Sequence, residues 1–262
     1  MKILVCIKQV PDMESKFKVN GDGNWYDSGD LAWRMNEYDE YAVEQAVQLK
    51  EQNKDADVTV LCIGPDRVKE TMKKALAMGC DRGVHFSDDT SHMREPMEIA
   101  GIIAEFAGEK EFDVIFTGMQ SQDRGSGQVG VLVAEMLDLS CITTIVEFEY
   151  DGGEIDGGEI RVKRELEGGV RARVKTATPA LLTCQLGLNT PRYPTLPNIM
   201  KAKKKELLSS PAADQLKVAS RQQTASMYFP EKKGSGMILE GDVADLTDQL
   251  IKILKEKTTV LT

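Results

Sequence analysis

The chain has no C-x-x-C pair, no apolar run long enough for a membrane, and only two histidines, His85 and His92. Each absence removes a class of function. The five cysteines (Cys6, Cys62, Cys80, Cys141 and Cys184) are an odd set without metal-ligand spacing. Cys6, Cys62 and Cys184 lie in apolar runs, where a thiol behaves as a small buried hydrophobe. This predicts a reducing compartment and no disulfide framework. Two histidines do not furnish a histidine-rich metal site, and no catalytic triad or carboxylate dyad stands out. Ile3 to Ile7 is too short for a signal peptide or a membrane span, so the expectation is a cytoplasmic protein without membrane insertion. With a net charge of −9 the chain also lacks the basic excess that nucleic acid or an anionic membrane would attract. It holds no internal repeat, no P-loop and no G-x-G-x-x-G fingerprint.

What is present is an ordinary soluble composition, 41% hydrophobic and 29% charged over 262 residues, enough for one large domain or a domain with an appendage. Buried-strand patterns at Ile3–Ile7, Val58–Ile63, Gly83–Phe86 and Val114–Phe116 alternate with helical ones. The first helix has Asn36 at its N-cap position with Asp39 three residues on. The second is capped by Asp66 and stopped by Gly79, and the third starts at Pro96. Asn20 to Asp30 reads as a surface loop or short hairpin. Strands alternating with helices predict an α/β fold, a Rossmann-like parallel sheet covered on both faces.

Asp113 to Leu139 is the centre of this arrangement: a strand, then a polar and glycine-rich turn from Gly118 to Gln128, then a helical pattern with Val129, Leu132, Val133, Met136 and Leu137 on one face. Backbone N–H groups at such a helix start hold anions, and Gly118, Gly125 and Gly127 permit close approach. Arg124 adds a cation. An ordinary turn that aids helix–strand packing has the same shape. In parallel sheets ligands sit at the carboxyl ends of strands, which brings Cys6–Gln9, Ile63-Gly64, the helix start at Asn36 and the central loop to one crevice. A nucleotide site there is the expectation.

After Ser140 the pattern changes. Ile142–Tyr150, Ile160–Leu166 and Val170–Lys175 read as strands of an antiparallel insertion spanning about 142–176, with turns at Gly152-Gly153 and Gly157-Gly158, before a last core strand at Ala180–Cys184. Prolines crowd around Pro191, Pro194 and Pro197, a lysine run covers 201–205, and a stretch of low hydrophobicity leads to about Gly241. Asp242 caps a final amphipathic helix at about 243–256. The expected divisions are a nucleotide-binding α/β domain over 1–190, a proline-rich loop and basic run over 191–205, and an arm over 206–262.

Two segments resemble the beta (small) subunits of electron-transfer flavoproteins. One runs Val162-Lys163-Arg164-Glu165-Leu166-Glu167-Gly168-Gly169 and continues to Thr178-Pro179-Ala180-Leu181-Leu182-Thr183, departing from the family signature at Ala172. The other is Asn189 to Lys205, NTPRYPTLPNIMKAKKK, similar to the family's partner-recognition loop. The segment Ala75 to Gly83 and the central loop also fit. The resemblance runs from Lys2 to about Lys205. It implies a heterodimer with an alpha subunit that holds most of the FAD, and a C-terminal arm that wraps this partner. It also implies a carrier role rather than an enzyme's. Electrons would arrive from dehydrogenases, often acyl-CoA dehydrogenases, and leave to a quinone reductase or another acceptor.

The resemblance further implies which residues line the nucleotide crevice: Cys6, Asn36, Glu37, Tyr38, Asp39, Ile63, Gly118, Gln120, Asp123, Ser126, Gly127, Gln128 and Val129. Cys6 and Ile63 would face the base through backbone groups. Asn36 would bond base or ribose, or serve only as an N-cap. Asp123 would accept from a ribose hydroxyl or close an Asx turn, and residues 126–129 would meet phosphate. Many members carry threonine where Val129 stands, and members with valine include some that hold a second FAD and bifurcate electrons, so the nucleotide here is AMP or FAD. Tyr38 would approach the partner's flavin or pack at the interface. Leu196 would anchor a dehydrogenase, Glu165 would pair with a partner cation, and Lys201 to Lys205 would steer acidic partners. A stand-alone homodimeric nucleotide-sensing α/β protein of the stress-protein type is the rival; it accounts for sheet and loop but not for Arg192 to Lys205.

Overall fold

The computed structural model describes residues 1–152, 158–231, 234 and 236–259. The chain divides into two compact units, Met1–Ser226 and Met227–Thr262.

The first unit is built on a nine-stranded sheet. In chain order its first part comprises β1 (Lys2–Ile7), β2 (Gln9–Pro11), β3 (Trp33–Met35), α1 (Glu37–Gln52), β4 (Asp57–Gly64), α2 (Val68–Met78), β5 (Arg82–Ser87), α3 (Pro96–Gly108), β6 (Val114–Gly118) and α4 (Val129–Met136). There follow β7 (Ser140–Asp151), β8 (Glu159–Glu165), β9 (Arg171–Ala177), β10 (Ala180–Cys184), α5 (Leu196–Ala202) and β11 (Leu207–Pro211). The strand order is β11-β5-β4-β1-β6-β10-β7-β8-β9. All pairs from β11 to β7 are parallel, and β7-β8-β9 are antiparallel. The insertion therefore extends the main sheet instead of forming a sheet of its own.

The continuous apolar runs of β1 and β6 have a simple cause. Successive side chains point to opposite faces, and both faces are covered. Ile3, Val5, Val114 and Phe116 pack into the core beneath α1 and α2, while Leu4, Cys6 and Ile115 pack into that beneath α3 and α4. Each such side chain stabilises the fold by roughly 1.5–3 kcal/mol when fully buried.

The structure departs from the expected pattern at identifiable places. Asp66 is not the cap of α2: Arg67 holds that position, and the Asp66 carboxylate takes Lys69 Nζ at 2.7 Å. An i,i+3 cation so close competes with the backbone for the carboxylate. The α3 start carries a reciprocal capping box between Glu95 and Glu98, with Pro96 in its first turn as expected. Asn20 to Asp30 lies between β2 and β3, which pair as an antiparallel two-stranded sheet that the sequence reading missed. The prolines after Leu188 do not exclude a helix: Pro197 lies in the first turn of α5, where a missing N–H costs nothing. The low-hydrophobicity stretch begins with β11, whose parallel pairing to β5 is carried by backbone. The turn residues expected at Gly153 and Gly157 lie outside the described residues.

In the second unit, α6 (Val243–Lys257) is capped by Asp242, whose side chain accepts the Asp245 N–H at 2.9 Å. None of its residues is buried. Val243, Leu250 and Ile251 are exposed on it, and Tyr228, Phe229, Met237 and Ile238 before it.

Candidate functional site

The carboxyl ends of β1, β4 and β6 open into a cleft whose empty space, open mouth included, is about 1150 Å³. Its walls are held by one buried carboxylate. Asp39 Oδ2 accepts the backbone N–H of Lys8 at 2.6 Å, and Oδ1 accepts from Asn36 Nδ2 at 3.0 Å and from the Gly118 N–H at 3.2 Å. The ends of β1 and β6 are thereby tied to the first turn of α1. Burial pushes the Asp39 carboxyl up to about 7, against the pull of these donors. Gly118 is required: a Cβ there would come within 2.2 Å of Asp39 Oδ1.

Asn36 stands at the N-cap position but its side chain caps nothing in α1. Its amide donates to Gln120 O at 2.9 Å and its Oδ1 accepts the Gln122 N–H at 3.0 Å. Both partners lie in the central loop, so Asn36 and Asp39 together set that loop's path. Beyond it, Gly125 (φ +61°) and Gly127 (φ +62°) adopt left-handed backbone, which only glycine takes without strain. No side chain caps α4, leaving the N–H groups of its first turn without helical partners. This is the geometry that receives an anion. Gly130 lets α4 press on the sheet, since a Cβ there would meet Thr117 Oγ1 at 2.7 Å.

The charges around the cleft are unevenly matched. Lys8 Nζ holds both Asp123 oxygens at 2.7 Å, so Asp123 is a salt-bridge partner rather than the closure of an Asx turn. Arg94 pairs with Asp88 and Glu98. Arg124 does not point a free cation at the helix start. Its guanidinium donates to the backbone oxygens of Arg94 and His92 and lies 4.9 Å from the Trp25 ring centroid. Arg67 lies 3.8 Å over the Trp33 ring. Tyr26 faces both the Asp123 carboxylate and these cations, and burial foremost pushes its phenol up to about 12. Gln9 completes the wall: its amide donates to Thr71 Oγ1 at 2.8 Å, while its buried Oε1 has no donor among the described residues. The exocyclic amine of an adenine would satisfy that acceptor.

Of the residues that the family resemblance implied, Cys6, Asn36, Asp39, Ile63, Gly118, Gln120, Asp123, Ser126, Gly127, Gln128 and Val129 line this one cleft. Glu37 and Tyr38 do not line it. They shape it from behind, Glu37 accepting from Gln122 Nε2 at 2.9 Å and the Tyr38 hydroxyl from Gln120 Nε2 at 3.1 Å. Lys8, Gln9, Tyr26, Trp33, Arg67 and His92 line it without having been singled out as site residues. Lys8 and Gln9 were reachable from the strand-end rule; the others come from β3, a loop and a helix start with no periodic signal.

A second surface lies at α5. Arg192, just before it, bridges Glu44 (2.8 Å) and Glu51 (2.5 Å) on α1, and those carboxylates raise its guanidinium further above its ordinary value. Leu196 opens α5 with 79% of its surface exposed, beside exposed Tyr193, Ile199 and Met200. Lys201 is exposed on its last turn. Lys205, counted in the same basic run, is withdrawn from it: its Nζ donates to Leu76 O at 2.9 Å and to Cys80 O, closing the end of α2. Glu165 accepts from Gln185 Nε2 at 3.2 Å at the end of β8.

Among the described residues no helix is long and apolar enough to cross a membrane, and no group of histidine, cysteine, aspartate and glutamate side chains has a metal-holding arrangement. A family model described as the electron transfer flavoprotein domain matches residues 25–215. Curated relatives match over nearly the whole chain. The electron transfer flavoprotein subunit beta of Bacillus subtilis (strain 168) is 36% identical over 266 residues, covering 100% of both chains. That of Bradyrhizobium diazoefficiens is 38% identical over 251 residues, covering 95% of this chain and 97% of its own. The human protein of the same name is 32% identical over 259 residues, covering 98% and 97%.

Proposed function

The chain belongs to the electron transfer flavoprotein family, aligning end to end with its beta subunits, and from that premise we propose that it works as one half of a heterodimeric electron carrier. Its partner is an alpha subunit that holds the redox FAD, and the chain itself carries an adenine nucleotide, AMP or a second FAD, in the cleft. Electrons arrive from dehydrogenases, acyl-CoA dehydrogenases among them, and leave to a quinone reductase or another acceptor. The observation that carries the nucleotide assignment is the cleft at the ends of β1, β4 and β6, with the uncapped start of α4 on one wall and the orphaned Gln9 acceptor on another.

The residues divide the work. The Gln9 Oε1 and the backbone edges at Cys6 and Ile63 read the base. Asp123 accepts from a ribose hydroxyl, with Lys8 holding its carboxylate in place. The N–H groups after Gly127 take phosphate. A second FAD would supply a redox centre in this chain; with AMP the nucleotide is structural. Outside the cleft, the apolar surface of Tyr193, Leu196, Ile199 and Met200 receives the electron donor, and Glu165 receives a cation of the partner. The exposed apolar residues between Tyr228 and Ile251 suit an arm that wraps another chain.

Gel filtration of the chain with and without an alpha subunit tests the assembly. A heterodimer is the expected product. A stable homodimer indifferent to the alpha subunit would instead support the stand-alone nucleotide sensor.

A further inference from the structure

Arg124 belongs to the glycine-rich loop, where a cation would be expected to meet an anion, yet its side chain reaches away from that loop. Nη1 donates to Arg94 O at 2.8 Å and Nη2 to His92 O, and the guanidinium lies 4.9 Å from the Trp25 ring centroid. Trp25 is buried, and its ring centroid is 5.5 Å from that of His92. One side chain thus joins three segments: the loop after β6, the turn at 91–94 and the connection between β2 and β3. His92, Arg94, Arg124 and Tyr26, the residue next to Trp25, all line the cleft.

The topology gives this contact its reach. The 91–94 turn follows β5 and the glycine-rich loop follows β6, and the sheet order places β4 and β1 between them. Three strand spacings separate β5 from β6, roughly 14 Å. Arg124 therefore bridges the two segments that flank the strand ends where the cleft opens. Its neighbour Asp123 ties the same loop to the end of β1 through Lys8. Arginine suits the bridging role, because its planar fork donates in two directions while its face packs on an indole. Phosphate is then left to the backbone N–H groups at the uncapped α4 start.

We propose that Arg124 is a positioning residue: it straps the glycine-rich loop to the 91–94 turn and to Trp25, and the strap slows escape of the nucleotide without contacting its phosphate. This rests on the reading of the cleft as a nucleotide site. Arg124 acts through the walls and not through the charge of the ligand. Its loss therefore weakens adenine ligands with and without phosphate alike.

The test uses the full chain freed of bound nucleotide, in wild type, Arg124→Ala and Arg124→Lys. Stopped-flow mixing gives association and release rates for whichever of AMP and FAD binds, and calorimetry gives the number of sites and the affinity for adenosine. Arg124→Ala should release the nucleotide about 10-fold faster, the scale of one hydrogen bond from a charged group, with association no slower than in wild type. Its adenosine affinity should fall by a similar factor. Arg124→Lys, which keeps the charge but not the fork, should recover only part of the loss. Weaker nucleotide binding with adenosine affinity unchanged would make Arg124 a phosphate ligand and overturn the proposal. Fewer binding sites with a wild-type release rate would reduce it to a fold-stabilising residue, which also overturns the proposal, and both results leave the nucleotide site intact. Binding of none of the three ligands by wild type would instead remove the site itself.

Discussion

Asp39 and Lys8 meet through a carboxylate oxygen and a backbone N–H 2.6 Å apart, joining the first turn of α1 to the end of β1. The same carboxylate takes the Gly118 N–H at the end of β6, so one side chain holds both strand ends that frame the cleft. Asp39→Ala removes the acceptor and strands two backbone donors and the Asn36 amide. A buried donor left unpaired costs about 1–3 kcal/mol, so the expected loss is of at least that size. Urea denaturation measures it. An unchanged midpoint would show that the tie contributes nothing.

The same group gives a pH dependence with a definite sign. The Asp39 carboxyl is raised to about 7 in the fold and returns to its ordinary acidic range when the chain unfolds. Between those values the folded state binds a proton that the unfolded state does not. The Asp39 contribution to stability is therefore greatest at the acid end and declines as pH rises toward about 7. Urea midpoints at pH 5 and pH 7.5 should show a decline in wild type that is reduced in Asp39→Asn. Equal declines in the two proteins would assign the dependence to other groups.

Arg192 fastens the segment before α5 to α1 through Glu44, whose side chain is only 4% exposed. Arg192→Ala leaves that carboxylate without its cation, and hydrogen bonds between charged groups are worth about 1.5–3 kcal/mol. The expected outcome is faster proteolysis at residues 186–195 and slower reduction by the electron donor. Cleavage kinetics identical to wild type would remove Arg192 as the fastener.

Leu196 presents its side chain to solvent at the start of α5, so Leu196→Ala should leave the melting temperature within error. Truncating an interface anchor typically costs about 2 kcal/mol, so the apparent affinity for the donor dehydrogenase should fall roughly 30-fold. A drop in melting temperature without an affinity change would make Leu196 a packing residue.

How much could be read from the sequence follows from how local each signal is. Buried runs such as Ile3–Ile7 and Val114–Phe116 announce parallel strands because both faces are covered, and the strand-end rule then brings Cys6, Ile63 and Gly118 together. The glycines at 125 and 127 likewise mark a turn that only they take easily. The cross-chain partners are not local. Nothing near Asn36 says that its amide serves Gln120 and Gln122 in place of its own helix, and nothing near Lys205 says that it closes α2. β11 escaped because its pairing lies in the backbone while Leu208 and Ser209 are exposed. Arg67 and Trp33 belong to segments with no periodic pattern, and only the fold sets one upon the other.

An adenine nucleotide held by this chain in the cleft at the ends of β1, β4 and β6 is what the assignment of the cleft requires. The most direct test is to denature the purified complex with its alpha subunit and to identify every released nucleotide by chromatography and mass, counted per heterodimer. One adenine nucleotide beyond the partner's FAD is expected, and its loss when Gly127→Val puts a β-branched residue on left-handed backbone at φ +62°. A complex that releases one FAD and nothing else would contradict it.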